Sequence, residues 1–105
     1  MDIKIPSENG IYKYIWVSLS DEDYVRFGHQ TTNHEEMVSN LGRTLEESYL
    51  DSKVSDAGVL ILNSSEKKMQ IKYASAHYSE KFNPAGFKKL IEKNTEYKVE
   101  IPTGF

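Results

Sequence analysis

Three side chains of this sequence could do chemistry on an anion. Lys13 sits within the run "IYKYIWVSL", Arg26 within "YVRFGHQ", and His34 follows the arginine by eight residues, where "TTN" leads into a helical pattern. The first turn of a helix carries unpaired backbone N–H groups and the positive end of the helix dipole, so it favours a bound anion such as phosphate. The same field disfavours an imidazolium by about 0.3–1 kcal/mol, while the neighbouring Glu35 and Glu36 push the other way. A neutral imidazole near pH 7 is compatible with that balance. It can act as a general base toward water or as a nucleophile toward phosphorus, and Lys13 and Arg26 could neutralise phosphoryl oxygens. The constellation points to phosphate-ester or phosphoramidate chemistry.

The residues alone leave plainer readings open. A histidine at a helix start is commonly a surface residue, a strand lysine often keeps only its head in water, and an arginine suits a structural ion pair as well as it suits phosphate. His29, His34 and His77 could in principle hold zinc, but they lack a recognisable ligand spacing. The row Tyr12, Tyr14 and Trp16 fits sheet packing better than base stacking, given the acidic balance of the chain.

The elements that must position these groups are five strand-like and two helix-like segments, an α+β pattern. Residues 11–18 alternate, with Ile11, Lys13, Ile15 and Val17 on one face and Tyr12, Tyr14 and Trp16 on the other, which places this strand centrally. After the turn Ser20-Asp21-Glu22, a strand over 24–28 sets Tyr24, Arg26 and Gly28 opposite Val25 and Phe27. The first helix carries the stripe Met37, Leu41, Leu45 and Tyr49, interrupted by Gly42; Thr32 or Asn33 caps it, with Glu35 or Glu36 as the partner at the third position. Strands over 59–62 and 69–75 form a hairpin about Asn63-Ser64-Ser65-Glu66. The second helix starts at Asn83 with Pro84 at its first position, presents Phe87, Leu90 and Ile91, and stops near Asn94. A last strand alternates through Tyr97, Val99 and Ile101. The expectation is a single domain over 1–105, a mixed and largely antiparallel sheet of five to six strands packed with two helices.

Composition excludes several classes. A chain of 105 residues has room for one domain with a real core, and no apolar run approaches the ~20 residues of a membrane span. The start, "MDIKIPSENG", has no basic region followed by an apolar stretch, so a cytoplasmic location is expected rather than secretion. Without cysteine there is no disulfide framework, thiol nucleophile or thiolate metal site. A net charge of −3 argues against nucleic acid as the main partner.

The order of these motifs resembles the protein phosphohistidine phosphatase family, also called the Janus/Ocnus family, over nearly the whole chain. "NGIYKYIWVSL" matches the family's opening turn and its aromatic-Lys-Tyr strand, and Val25, Arg26 and His34 reproduce its Val-Arg pair with a histidine eight residues beyond the arginine. "EKKMQIKYASAHYS" is similar to its acidic-Lys-Lys turn and its Tyr-x-Ser-x-x-Tyr segment, and "FKKLIEKNTEYKVEI" follows its closing helix and Tyr-x-Val strand. The resemblance implies a hydrolase that needs no metal or other cofactor and acts on phosphohistidine, or a related phosphoramidate, in a phosphorylated protein. It implies His34 as the catalytic residue, with Lys13, Arg26, Ser75, Ala76 and His77 binding phosphate, in a monomer that binds neither nucleic acid nor membrane. The chain departs from the family at Asp56-Ala57-Gly58-Val59, where a glycine-rich segment ending in arginine is usual, at Ser79 in place of a loop glycine, and at His77 in place of a small residue. A phosphate- or phosphoprotein-binding module without enzymatic activity is the alternative that the missing arginine favours.

Overall fold

Apolar groups on both sides of the segment around Tyr14 require cover on both faces, and the structure supplies it. The computed structural model describes residues 1–104. Its elements run β1 (Asp2–Ile3), β2 (Gly10–Leu19), β3 (Glu22–His29), α1 (His34–Leu45), β4 (Val54–Asn63), β5 (Lys68–Ala74), α2 (Pro84–Asn94) and β6 (Lys98–Glu100). The six strands make one sheet in the order β1-β3-β2-β4-β5-β6. The four inner strands pair antiparallel, and the short edge strands β1 and β6 pair parallel to β3 and β5. The radius of gyration, 12.7 Å, is close to the ~13 Å of one compact domain of this length. The α+β domain read from the sequence is therefore the one observed.

Each helix covers a different face. Ile15, Val17, Val54 and Ala57 pack under Met37, Val38 and Leu41 of α1. On the other side Tyr14, Leu60, Leu62, Met69 and Ile71 pack under Phe87 and Ile91 of α2, with the Tyr14 and Phe87 rings stacked 4.3 Å apart. Both rings are fully buried, and truncating such a phenylalanine to alanine typically costs about 3–5 kcal/mol. Among the described residues, no helix is long and apolar enough to cross a membrane.

Local signals account for most boundaries. The Asn33 side chain accepts from the Glu36 N–H and starts α1, and Asn83 does the same for Gly86 and starts α2, with Pro84 at the first position. The first helix is shorter than its stripe predicts. Glu46 takes the left-handed conformation and the Glu47 N–H turns back to the Gly42 carbonyl at 2.9 Å, so the helix closes at Leu45 and Tyr49 stands 85 % exposed off the stripe. Gly42 does not interrupt the helix. It serves this closure, because a Cβ there would lie 2.8 Å from the Glu47 carbonyl oxygen. Strand β4 begins five residues earlier than the apolar run predicts, and β1 has no counterpart in the sequence reading.

Candidate functional site

His34 is the first residue of α1, held there by the Asn33 cap, and its ring is buried against β4. Its Nε2 lies 2.8 Å from the Gly58 carbonyl oxygen. A carbonyl only accepts, so in the neutral ring Nε2 carries the hydrogen and Nδ1 keeps the lone pair. No described residue donates to Nδ1. Burial holds the imidazole below its usual pKa, the Gly58 hydrogen bond pulls it back up, and the charges of Lys13 and His77 lower it further. The ring is thus neutral near pH 7, with its tautomer fixed by the backbone.

An open hollow of about 420 Å³ lies over this ring, lined among others by Lys13, Asn33, His34, Glu35, Val59 and Tyr73, and by residues 74–77. Lys13 reaches it because β2 pairs directly with β4 there, Lys13 opposite Val59, on the face that also carries α1. The Lys13 ammonium forms no ion pair among the described residues. The opposite wall is the loop after β5. Its ends are pinned: the Ser75 N–H donates to the Ala57 carbonyl at 3.1 Å, the Tyr78 N–H donates to Ser75 Oγ at 3.2 Å, and the Tyr78 hydroxyl donates to Asp51. Between the pins, the N–H groups of Ala76 and His77 find no acceptor among the described residues. The amides of His34 and Glu35, at the start of α1, are the unpaired donors of a helix N-terminus. One cation, a neutral base and several free N–H donors can together receive a tetrahedral oxyanion.

The structure thus brings together Lys13, His34, Ser75, Ala76 and His77, but not all in the roles their types imply. Ser75 is 1 % exposed, with both its amide and its hydroxyl oxygen engaged in holding the loop, so it organises the donors that follow it. His77 Nδ1 sits 3.1 Å from a Glu35 carboxylate oxygen at the exposed rim. Arg26 is not brought to the hollow. Its guanidinium donates to the Asp2 carboxylate at 3.0 Å and to the Asp2 and Val25 carbonyls, tying β1 to β3, and it faces a separate cavity beside Met37 and Leu41. The reason is register: Arg26 pairs with Ile15, two residues along β2 from Lys13 and next to the edge strand. His29 turns instead to Thr31, and no three of the described His, Asp or Glu side chains are grouped so as to hold a metal ion.

Two contributors escaped the sequence reading. Gly58 supplies the carbonyl that orients His34, and a side chain there would strike the Tyr73 carbonyl oxygen at 2.8 Å and the Tyr14 hydroxyl at 2.9 Å. Two residues before it, Asp56 is fully buried; it accepts from the Tyr14 hydroxyl at 2.9 Å and from the Asn83 N–H at 2.8 Å, joining β2, β4 and the cap of α2. Burial raises the Asp56 pKa to about 6 against the lowering effect of these donors. Burial, reinforced by Asp56, holds the Tyr14 hydroxyl well above the usual tyrosine range. A hydrophilic letter within an apolar strand was the only signal for Asp56, and nothing in sequence marks which carbonyl a histidine will meet. In comparisons with known proteins, no family model matches the chain and no curated protein matches it.

Proposed function

We propose that this chain is a phosphohistidine phosphatase-like hydrolase that acts without a metal on phosphohistidine, or a related phosphoramidate, carried by another protein. The observation that carries the reading is the neutral His34 ring, fixed through Nε2 on the Gly58 carbonyl with Nδ1 free, beside Lys13 and the free Ala76 and His77 amides. Lys13 and the loop amides would hold the phosphoryl oxygens. His34 Nδ1 either takes a proton from the attacking water or takes the phosphoryl group itself and yields it to water in a second step. In both routes the P–N bond breaks, the substrate nitrogen leaves with a proton, and water supplies the fourth oxygen of inorganic phosphate. A P–N bond to imidazole is labile enough that orientation and a few anion donors do much of the work. The expected setting is a cytoplasmic monomer with a phosphorylated protein as substrate.

The test is phosphate release from a phosphohistidine-containing protein in EDTA, comparing the unmodified chain with a folded His34→Ala variant. Release that vanishes in the variant supports the reading. Absence of release from the unmodified chain refutes it for this substrate. A second reading, a phosphate-binding module without turnover, is favoured by Val59, a buried apolar side chain opposite Lys13 that leaves Lys13 as the one Lys or Arg lining the hollow. It expects inorganic phosphate to shift the His34 and His77 amide resonances while no phosphate is released.

A further inference from the structure

The face of the sheet that carries α1 is only half covered. The helix lies over Ile15, Val17 and Ala57, whereas Ile11, on the same side of β2, and its cross-strand partner Ile61 on β4 stand 38 % and 36 % exposed. On β5 the exposed residues Lys68 and Gln70 alternate with the buried Met69 and Ile71, so the same side stays bare across β5. A β-bulge where β4 steps from Val59 to Leu60 then sets both Lys72 and Tyr73 against Val59, and Tyr73 is 55 % exposed. Exposed apolar groups thus form a strip of three, Ile11 and Ile61 at one end and Tyr73 at the other, with the buried Val59 between them and Gln70 and Lys72 alongside, and Tyr73 and Val59 also line the hollow over His34. An exposed apolar strip that ends in a polar pocket is the form of a docking surface.

The charge of the strip identifies its occupant. Lys13, Lys68, Lys72 and Lys98 stand on or beside this half of the sheet against Glu66, which pairs with Lys68 at 3.8 Å, Glu100 and, at the rim of the hollow, Glu35, a small positive excess on a chain that as a whole carries −3. A locally basic and apolar surface on an acidic protein favours an anionic, partly apolar partner over a basic one.

We infer that this bare half-sheet docks the polypeptide that carries the phosphoryl group, with apolar side chains near the phosphorylated residue resting on Ile11, Ile61 and Tyr73. This rests on the hydrolase reading and deepens it: specificity lies in the segment around the phosphorylated residue, and the hollow reads only the phosphoryl group. The geometry sets the order of contacts, because Tyr73 is shared by strip and hollow.

The test uses the double substitution Ile11→Thr/Ile61→Thr, which keeps β-branched residues in both strands and touches no residue lining the hollow. For a phosphohistidine protein, KM should rise about ten-fold, the order expected for losing two apolar contacts, with kcat/KM for the phosphoramidate ion unchanged. An unchanged KM, or an equal loss on both substrates in a folded variant, overturns the inference. Failure of the hydrolase reading looks different, because the unmodified chain then turns over neither substrate. Binding still decides the docking claim in that event, by NMR titration with a peptide bearing a non-hydrolysable phosphohistidine analogue flanked by leucines. Shifts at Ile11, Ile61 and Tyr73 that weaken at least about five-fold in the double variant support docking. Shifts confined to residues 34 and 75–77, or shifts at the strip that appear with protein concentration and no peptide, overturn it, the latter by assigning the strip to a second copy of the chain.

Discussion

Replacing Asp56 with asparagine should remove a specific pH dependence of stability. In the fold the carboxyl lies fully buried between the Tyr14 hydroxyl and the Asn83 N–H, and its pKa is about 6 against 3.8 for an unperturbed group. The folded state therefore binds this proton more tightly than the unfolded chain does. The resulting stability is fully present below pH 3.8 and is lost as the pH rises through about 6. At ~1.4 kcal/mol per pH unit the loss amounts to roughly 3 kcal/mol, most of it between pH 4 and 8. Asparagine keeps the shape: its oxygen can accept from the Asn83 N–H and its amide can donate to the Tyr14 oxygen. Asp2 and Glu92, each held low by a cationic partner, titrate in the opposite sense, lending stability that is lost on acidification. They are common to both proteins, so the informative quantity is the difference between the two. Urea unfolding followed through the single tryptophan, Trp16, should show the Asp56→Asn variant gaining roughly 2–3 kcal/mol relative to the unmodified chain from pH 4 to pH 8. A difference that stays flat within about 0.5 kcal/mol would refute the argument that burial governs this carboxyl.

Other outcomes follow from the same geometry. The His34 ring should titrate below 6.5 by NMR, with phosphate release rising through that lowered value and then levelling. Lys13→Met should move the titration upward, because it removes a cation that disfavours imidazolium, and no movement would place the Lys13 charge away from the ring. Gly58→Ala should cost about 1–3 kcal/mol through its clash with the Tyr73 carbonyl and the Tyr14 hydroxyl and should expose the His34 Nε2 proton to exchange; a neutral urea midpoint would contradict the close approach. Arg26→Met should speed amide exchange at Ile3 and Lys4 and leave phosphate affinity unchanged, since the guanidinium holds β1. A ten-fold loss of phosphate binding would instead put Arg26 at the anion.

What the sequence discloses depends on whether a residue's partners lie nearby in the chain. The β2 alternation, the Asn83 cap and the hairpin turn read at 63–66 are local signals that stand where the pattern places them, and of the two caps read for α1, Thr32 or Asn33, the structure uses Asn33. The end of α1 is not local in this sense, because a glutamate at position 46 adopts the left-handed conformation usually left to glycine. Strand β1 spans two residues and is held by pairing with β3, by Arg26 and by Ile3 packing on the core. Without it in view, the carboxylate and carbonyls that hold Arg26 away from the hollow are invisible, and its side chain reads as a phosphate ligand. His34 and Lys13 were legible for the opposite reason, one marked by a cap and the other by strand alternation.

The stretch Asp56-Ala57-Gly58-Val59 is where the fold and the candidate site meet. Alternation along β4 turns Asp56 and the bare Cα of Gly58 toward Tyr14 and the α2 side, and Ala57 and Val59 toward the α1 side. The carbonyls between them serve the site, Ala57 holding the Ser75 amide and Gly58 holding His34. One strand segment therefore links a buried proton near pH 6 to the orientation of the base and to the loop that presents the free amides. That linkage gives a physical reason for polar and glycine letters inside a central strand: each one closes a contact that an alternating apolar strand could not make.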